Sequence, residues 1–336
     1  MISSLPPRGR GTAANPHNRF APSRSVAEDD GWYQEVPLTQ GTEVRIETAK
    51  TIITRNNSPD LPFDRSINPY RGCEHGCIYC YARPSHAYWD LSPGLDFETK
   101  LFAKPDAPKL LEREMSKPGY KPVPIAIGTN TDPYQPIERE WRIMRQILEI
   151  LDKANHPVVI VTKSALILRD IDILKSMAER GLAKVGISVT TLDRKLARTM
   201  EPRASTPAKR LEAIKTLSEA GIPVAVMMAP VIPALNDHEI EPMLRWCADE
   251  GHDLTLIETM PLGAGVSDRE ANYISLEAFT APVREHFSLH PLAHKSAGPA
   301  RYWRVEPLGL RLGLITPMSQ NFCDHCNRIR LTTDGK

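Results

Sequence analysis

Short apolar runs alternate with helical patterns through the middle of the chain. This alternation constrains the fold more than any other feature. The runs lie at residues 66–70, 125–128, 158–162, 185–189, 224–228 and 254–258. Most are continuously apolar, the pattern of strands covered on both faces. Residues 97–104 are a further strand candidate outside the series. Between the runs, Met144, Ile147, Leu148 and Leu151 share one helical face. Thr206 followed by Pro207 reads as an N-cap and first helical residue, with Gly221 as the stop. Ile240, Met243, Leu244 and Cys247 form a second stripe that ends near Gly251. Strands alternating with helices imply a parallel sheet. Six such units predict an α/β fold, a partial (β/α)6 TIM-like barrel, with a doubly wound open sheet as second choice. In either architecture the chemistry belongs at the carboxyl ends of the strands.

The two ends of the chain lack this rhythm. Residues 1–60 predict an irregular, partly disordered N-terminal extension, residues 61–260 the barrel, and residues 261–336 a C-terminal extension packed against it. Residues 1–27 carry Arg8, Arg10, Arg19 and Arg24 and no acid. A solvated cationic tail is the expected reading, and a phosphate-contacting arm the alternative. The whole chain of 336 residues has a formal net charge of +1, so nucleic acid is no general electrostatic partner. No apolar run reaches transmembrane length, and the N-terminus lacks the apolar core of a secretory signal. The expectation is a cytoplasmic protein without a membrane partner, whose clustered cysteines favour metal over disulfides.

Cysteines cluster at Cys73, Cys77 and Cys80, in the run Asn68-Pro69-Tyr70-Arg71-Gly72-Cys73-Glu74-His75-Gly76-Cys77-Ile78-Tyr79-Cys80, directly after the first strand candidate. Three thiolates on one loop can wrap three corners of a cubane cluster. The fourth iron then lacks a protein ligand, unlike the four-cysteine clusters of ferredoxins. A structural zinc site favours a closed four-ligand set with paired C-x2-C spacings, and His75 as fourth ligand would strain the loop. A non-catalytic iron–sulfur or zinc protein is the bland alternative.

The C-x3-C-x2-C run, with the aromatic Tyr79 before its last cysteine, resembles the signature of the radical S-adenosylmethionine (SAM) superfamily. The resemblance implies a [4Fe–4S] cluster on these three cysteines and SAM on its open iron. It also implies reductive cleavage of SAM to a 5′-deoxyadenosyl radical, with an external electron donor and no catalytic side chain beyond cluster and SAM. By position, Thr129 and Asn130 in the segment after the second barrel strand become SAM contacts. Lys163 and Ser188, at the next two strand ends, resemble SAM contacts in the photoproduct-lyase branch. Arg203 is a weaker candidate.

Residues 1 to about 240 resemble the DNA-repair photolyase-like relatives of spore photoproduct lyase, through RGRGTAANPHNRF, NPYRGCEHGCIYCYARPSH, GTNTDPYQP and MAPVIPALND. The stretch Ala126-Ile127-Gly128-Thr129 lacks the cysteine that returns a hydrogen atom in that lyase. Residues from about 236 onward resemble the GTP 3′,8-cyclase family of molybdenum cofactor biosynthesis, through LTLIETMPLGAG, GPARYWRV and LGLITPMSQNFCDHCNRIRLTTDGK. That resemblance implies a second cluster on Cys323 and Cys326, GTP as the small-molecule substrate, and Arg328 and Arg330 as its contacts. The sequence ends at Lys336, short of the third cysteine the resemblance requires. A labile cluster, a zinc ion and two free thiols therefore all stay open for this pair. The expectation is a lyase-type radical SAM enzyme of cyclase-like chemistry. A photolyase-like enzyme acting on DNA or another substrate is the alternative, and a recombined, joined or incomplete gene would explain the two resemblances.

Overall fold

The computed structural model describes residues 6–21, 40–56, 63–259, 275–294, 300–316 and 319. Its strands are β1 (Glu43–Ile46), β2 (Thr54–Arg55), β3 (Arg65–Ile67), β4 (Tyr70–Arg71), β5 (Lys100–Ala103), β6 (Ile125–Ile127), β7 (Val158–Thr162), β8 (Ala183–Ser188), β9 (Val224–Val231), β10 (Leu254–Glu258), β11 (Ser288–Leu292), β12 (Arg301–Glu306) and β13 (Leu310–Ile315). Ten of them form one sheet in the order β11-β12-β13-β10-β9-β8-β7-β6-β3-β2. From β3 through β6, β7, β8, β9 and β10 every neighbour is parallel, with a helix in each crossover from β6 onward. This is the mixed α/β parallel architecture of a partial barrel. Among the described residues no pairing closes it.

The core follows from the sequence stripes. Met144, Ile147, Leu148 and Leu151 on the helix Ile143–Lys153 are fully buried against the sheet. Ile240, Met243, Leu244 and Cys247 of the helix Ile240–Asp249 are equally buried, so Cys247 is a core residue. The helix Pro207–Glu219 starts after Thr206 as expected, although no side-chain cap bond forms there. Gly221 and Gly251, at φ +81° and +73°, end two helices in the left-handed region that glycine tolerates.

Three expectations change in detail. The first run splits, because Pro69 cannot donate to a ladder. β3 stays in the large sheet, whereas β4 pairs with β5 in a small second sheet, β1-β5-β4. The candidate strand at 97–104 begins as a helical turn, Asp96–Thr99, and is extended only over β5. The C-terminal strands do not lie on the barrel as an appendage. β13 runs parallel to β10 with Leu254 beside Leu312, and β12 and β11 continue the same sheet antiparallel.

The N-terminal segment also differs from a solvated tail. Arg10 is 4% exposed. Its guanidinium donates to the Glu98 carbonyl at 2.7 Å, the Gln40 carbonyl at 2.7 Å and Thr42 Oγ1 at 2.9 Å. Asn15 and Asn18 bond Asp96 Oδ1 and the Ala87 carbonyl. Asparagine and arginine side chains here replace a hydrophobic face as the means of docking.

Candidate active site

The loop from Gly72 to Cys80 leaves β4 and crosses the carboxyl ends of the parallel strands. Gly72 has φ +70°, and a Cβ there would stand 2.5 Å from Leu101 Cδ2 and 2.8 Å from the Phe97 carbonyl oxygen. Only glycine lets the chain turn so close to β5. The Cys73 N–H donates to that Phe97 carbonyl at 2.9 Å. Gln135 holds the loop from the barrel side, accepting from the Glu74 N–H at 3.0 Å and donating to the Gly72 carbonyl at 3.1 Å. Arg83 holds it from behind, with Nε and Nη2 donating to the Cys77 carbonyl at 3.1 and 2.9 Å.

Cys73 and Cys77 are buried and Cys80 is half-buried. Burial pushes the Cys73 thiol well above its ordinary range, and the nearby Asp132 and Cys77 add to this. The backbone at Asp132 and His75 opposes the shift. Burial and Glu201 likewise raise Cys77, against Lys163 and Arg210. Such thiols bind protons unless a cationic group replaces them, which is the chemistry of a metal-binding thiol set. The backbone around Cys73 and two cations near Cys77 fit the anionic sulfurs of an iron–sulfur cluster. Among the described residues, however, no three His, Cys, Asp or Glu side chains form a metal-holding group.

Two carboxylates organise the floor. Asp132 follows β6; its Oδ1 accepts from Thr162 Oγ1 at 2.7 Å and its Oδ2 from the Lys163 N–H at 2.7 Å. His75 Nδ1 stands 3.4 Å from Oδ2 without hydrogen-bond geometry. Burial would raise the Asp132 carboxyl, but His75 and these donors outweigh it and hold it at about 2. Glu201 follows the helix Arg194–Met200. It pairs with the buried Arg210 and accepts from the Tyr79 hydroxyl and, at 2.7 Å, from Thr190 Oγ1. Burial again acts upward, and Arg210 and Lys163 overcome it, leaving Glu201 at about 2.

The SAM-contact candidates divide into three groups around this floor. Lys163 Nζ lies 5.8 Å from the centre of the Tyr79 ring, and both flank Glu201. Ser188 ends β8, is buried, and gives its carbonyl to Arg210 Nη1 at 2.9 Å, which ties it to the same carboxylate. Thr129 and Asn130 are held elsewhere on the rim. The Thr129 carbonyl accepts from Tyr81, and the Asn130 N–H donates to Asn68 Oδ1 at 3.2 Å. Arg203 turns away to Glu74, at 2.9 Å, with 37% of its side chain exposed. Cys323, Cys326, Arg328 and Arg330 lie outside the described residues.

Sequence reading assigned no role to Asp132, Thr190 or Arg210 and none specific to Glu201. Asp132 stands within the quoted GTNTDPYQP segment and Glu201 beside the Arg203 candidate, so position in the motif was the available signal. Arg210 sits on a helix whose exposed side gives no hint of a buried guanidinium.

A parallel α/β sheet with a three-thiol loop at its carboxyl edge defines the class, and residues 67–247 match the Radical SAM superfamily. The chain belongs to the radical SAM superfamily, whose members work through a [4Fe–4S] cluster and SAM. Residues 252–336 match Molybdenum Cofactor Synthesis C. The GTP 3′,8-cyclase of Rhizobium etli is 30% identical over 283 residues, 82% of this chain and 75% of that protein. An uncharacterized protein of Mycobacterium tuberculosis is 39% identical over 181 residues, 54% of this chain and 53% of its own length. The chain thus spans about half the length of that relative. A structure of spore photoproduct lyase complexed with dinucleoside spore photoproduct is 16% identical, covering 64% of this chain and 62% of that one at a TM-score of 0.48. No helix among the described residues is long and apolar enough to cross a membrane.

Proposed function

We propose that this chain is a radical SAM enzyme of the GTP 3′,8-cyclase type, acting in molybdenum cofactor biosynthesis. The observation that carries the reading is the adjacency of two family matches, residues 67–247 and 252–336, together with 30% identity to a GTP 3′,8-cyclase over 82% of the chain. Cys73, Cys77 and Cys80 would hold the [4Fe–4S] cluster. With SAM bound and an external one-electron donor, that cluster supplies reductive cleavage of SAM and hence a carbon radical able to take hydrogen from substrate.

The chain's own residues do the positioning. Lys163, beside Cys77 and the Tyr79 ring, would pair with the SAM carboxylate. Glu201 holds Tyr79 and Arg210, and through Arg210 the end of β8 at Ser188. Asp132 fixes the Lys163 backbone and so aims its side chain. Thr129 and Asn130 would meet SAM from the β6 rim, while Arg203 acts through Glu74 on the thiol loop. Cys323 and Cys326 would carry part of a second cluster, with Arg328 and Arg330 receiving the GTP phosphates through their planar forks. In this reading Arg10, Gly11, Thr12 and Thr42 of the N-terminal extension (1–60) brace the thiol loop, 61–260 supply the SAM site and 261–336 the substrate contacts. A cytoplasmic setting keeps the thiols reduced.

Anaerobic incubation with SAM, GTP and a reductant tests the proposal. Formation of 5′-deoxyadenosine together with a modified guanine supports it. SAM cleavage with guanine untouched leaves the superfamily assignment and removes the cyclase.

A further inference from the structure

Behind the thiol loop, away from Lys163 and Tyr79, lies a cleft of about 480 Å³ between the N-terminal segment and the helix Arg194–Met200. That size suits a small-molecule site. Arg8 and Arg198 line it, both exposed, and neither has an ion-pair partner among the described residues. Arg10 lines it as well, yet is buried. Its two terminal nitrogens are taken by carbonyls and a hydroxyl, but its Nε is buried without a partner.

The charge balance around Arg10 is incomplete. Its charged form is disfavoured by burial and then by Arg203, and only partly supported by Glu98 and Glu74. Both acids are already engaged. Glu98 accepts from Arg83 at 2.6 Å, the Gly11 N–H at 2.8 Å and Thr12 Oγ1 at 3.0 Å. Glu74 pairs with Arg203 and accepts from Thr42 Oγ1 at 2.6 Å. Two free guanidiniums lining one cleft, with a third guanidinium buried behind them, favour an anion with several acceptor oxygens. The walls at Pro7, Ile78 and Pro202 are apolar, and no carboxylate is among the described residues that line the cleft.

We propose that this cleft binds a small phosphate-bearing molecule, held by Arg8 and Arg198 over the buried Arg10. The proposal does not rest on the cyclase reading. The GTP contacts inferred there are Arg328 and Arg330, whereas this cleft is built from the N-terminal segment. Ile78 lies between Cys77 and Cys80 in sequence, and its N–H donates to the Met200 carbonyl at 3.0 Å. An occupant would therefore bear on the thiol loop at Ile78.

Calorimetric titration of the full, anaerobically reconstituted chain with pyrophosphate, in the absence of SAM and GTP, tests this. The wild type should bind, more weakly as salt rises. An Arg8→Gln/Arg198→Gln double variant should bind at least tenfold more weakly, and Arg328→Gln/Arg330→Gln should bind as the wild type does. Both arginines in the first variant are exposed, so its thermal midpoint without ligand should match the wild type, and pyrophosphate should raise only the wild-type midpoint. Equal affinity in wild type and the Arg8/Arg198 variant overturns the proposal, as does absence of millimolar binding. Loss in the Arg328/Arg330 variant instead moves the anion to the other site. Preference for a single-stranded oligonucleotide over pyrophosphate, dependent on Arg8 and Arg198, overturns the small-molecule occupant.

Discussion

Arg83 and Glu98 form an ion pair at 2.6 Å in which neither side chain has any exposed surface. Arg83 also grips the Cys77 carbonyl, and Glu98 also receives Gly11 and Thr12 from the N-terminal segment. One buried pair thus joins the thiol loop to residues more than sixty positions earlier in the chain. Removing one partner of a buried pair leaves the other charge uncompensated, at a cost of about 3–5 kcal/mol. Arg83→Ala should lower unfolding free energy by that amount in urea and reduce iron bound after reconstitution. A variant as stable and as iron-rich as the wild type would refute the coupling.

The cysteines separate by environment. Cys77→Ala should abolish the iron–sulfur absorbance and SAM cleavage while the barrel still folds. Cys247→Ser should retain both, because Cys247 is a core residue of the helix Ile240–Asp249. Its cost should appear in stability instead, roughly 1–3 kcal/mol for a buried hydroxyl lacking an assured partner. Iron loss in the Cys247 variant, or iron retention in the Cys77 variant, contradicts the assignment.

Glu201 predicts an acid-sensitive fold. Its carboxyl sits at about 2 in the folded protein against an ordinary value of 4.5. Stability from the ionised form is complete above about pH 4.5 and is lost as pH falls toward 2, on the order of 3 kcal/mol in all. Asp132, at about 2 against 3.8, loses stability over an overlapping window. In Glu201→Gln the fall in stability between about pH 4.5 and 2 should be shallower than in the wild type. At neutral pH the same variant should be weaker, since Arg210 remains buried without its anion. Urea unfolding at a series of pH values gives both quantities, and parallel pH profiles would exclude Glu201 as the source.

Lys163 is predicted to act on SAM rather than on the cluster. Lys163→Met should keep the iron content and the Tyr79–Glu201 contact but weaken SAM binding about tenfold or more, equivalent to roughly 1.4 kcal/mol or more. Equilibrium dialysis of the reconstituted protein reads this directly. An unchanged dissociation constant removes Lys163 from the SAM site.

Gly72→Ala should fail for a backbone reason. Its φ of +70° and the 2.5 Å approach to Leu101 leave no room for a Cβ. The expected result is loss of iron incorporation with largely native secondary structure by circular dichroism. Normal iron content would show that the loop can shift away from β5.

Much of the fold was legible because periodicity is local. The runs at 158–162 and 254–258 match β7 and β10 residue for residue, and the two apolar helix stripes are buried as drawn. The thiol loop was legible because its three cysteines lie within eight residues. Sequence by itself therefore determined the parallel α/β core and the thiol loop that carries the superfamily signature. It did not determine what surrounds that loop. Glu201, Arg210, Arg83 and Glu98 are charged residues that in sequence look like solvated positions, and their burial depends on partners brought close only by the folded sheet. The same holds for Arg10, which composition placed in a tail and tertiary structure places under the loop. A charge is kept inside only where an opposite charge or carbonyl meets it, and those meetings span long stretches of chain. The tertiary structure alone decided which ionic groups hold the cysteines in place.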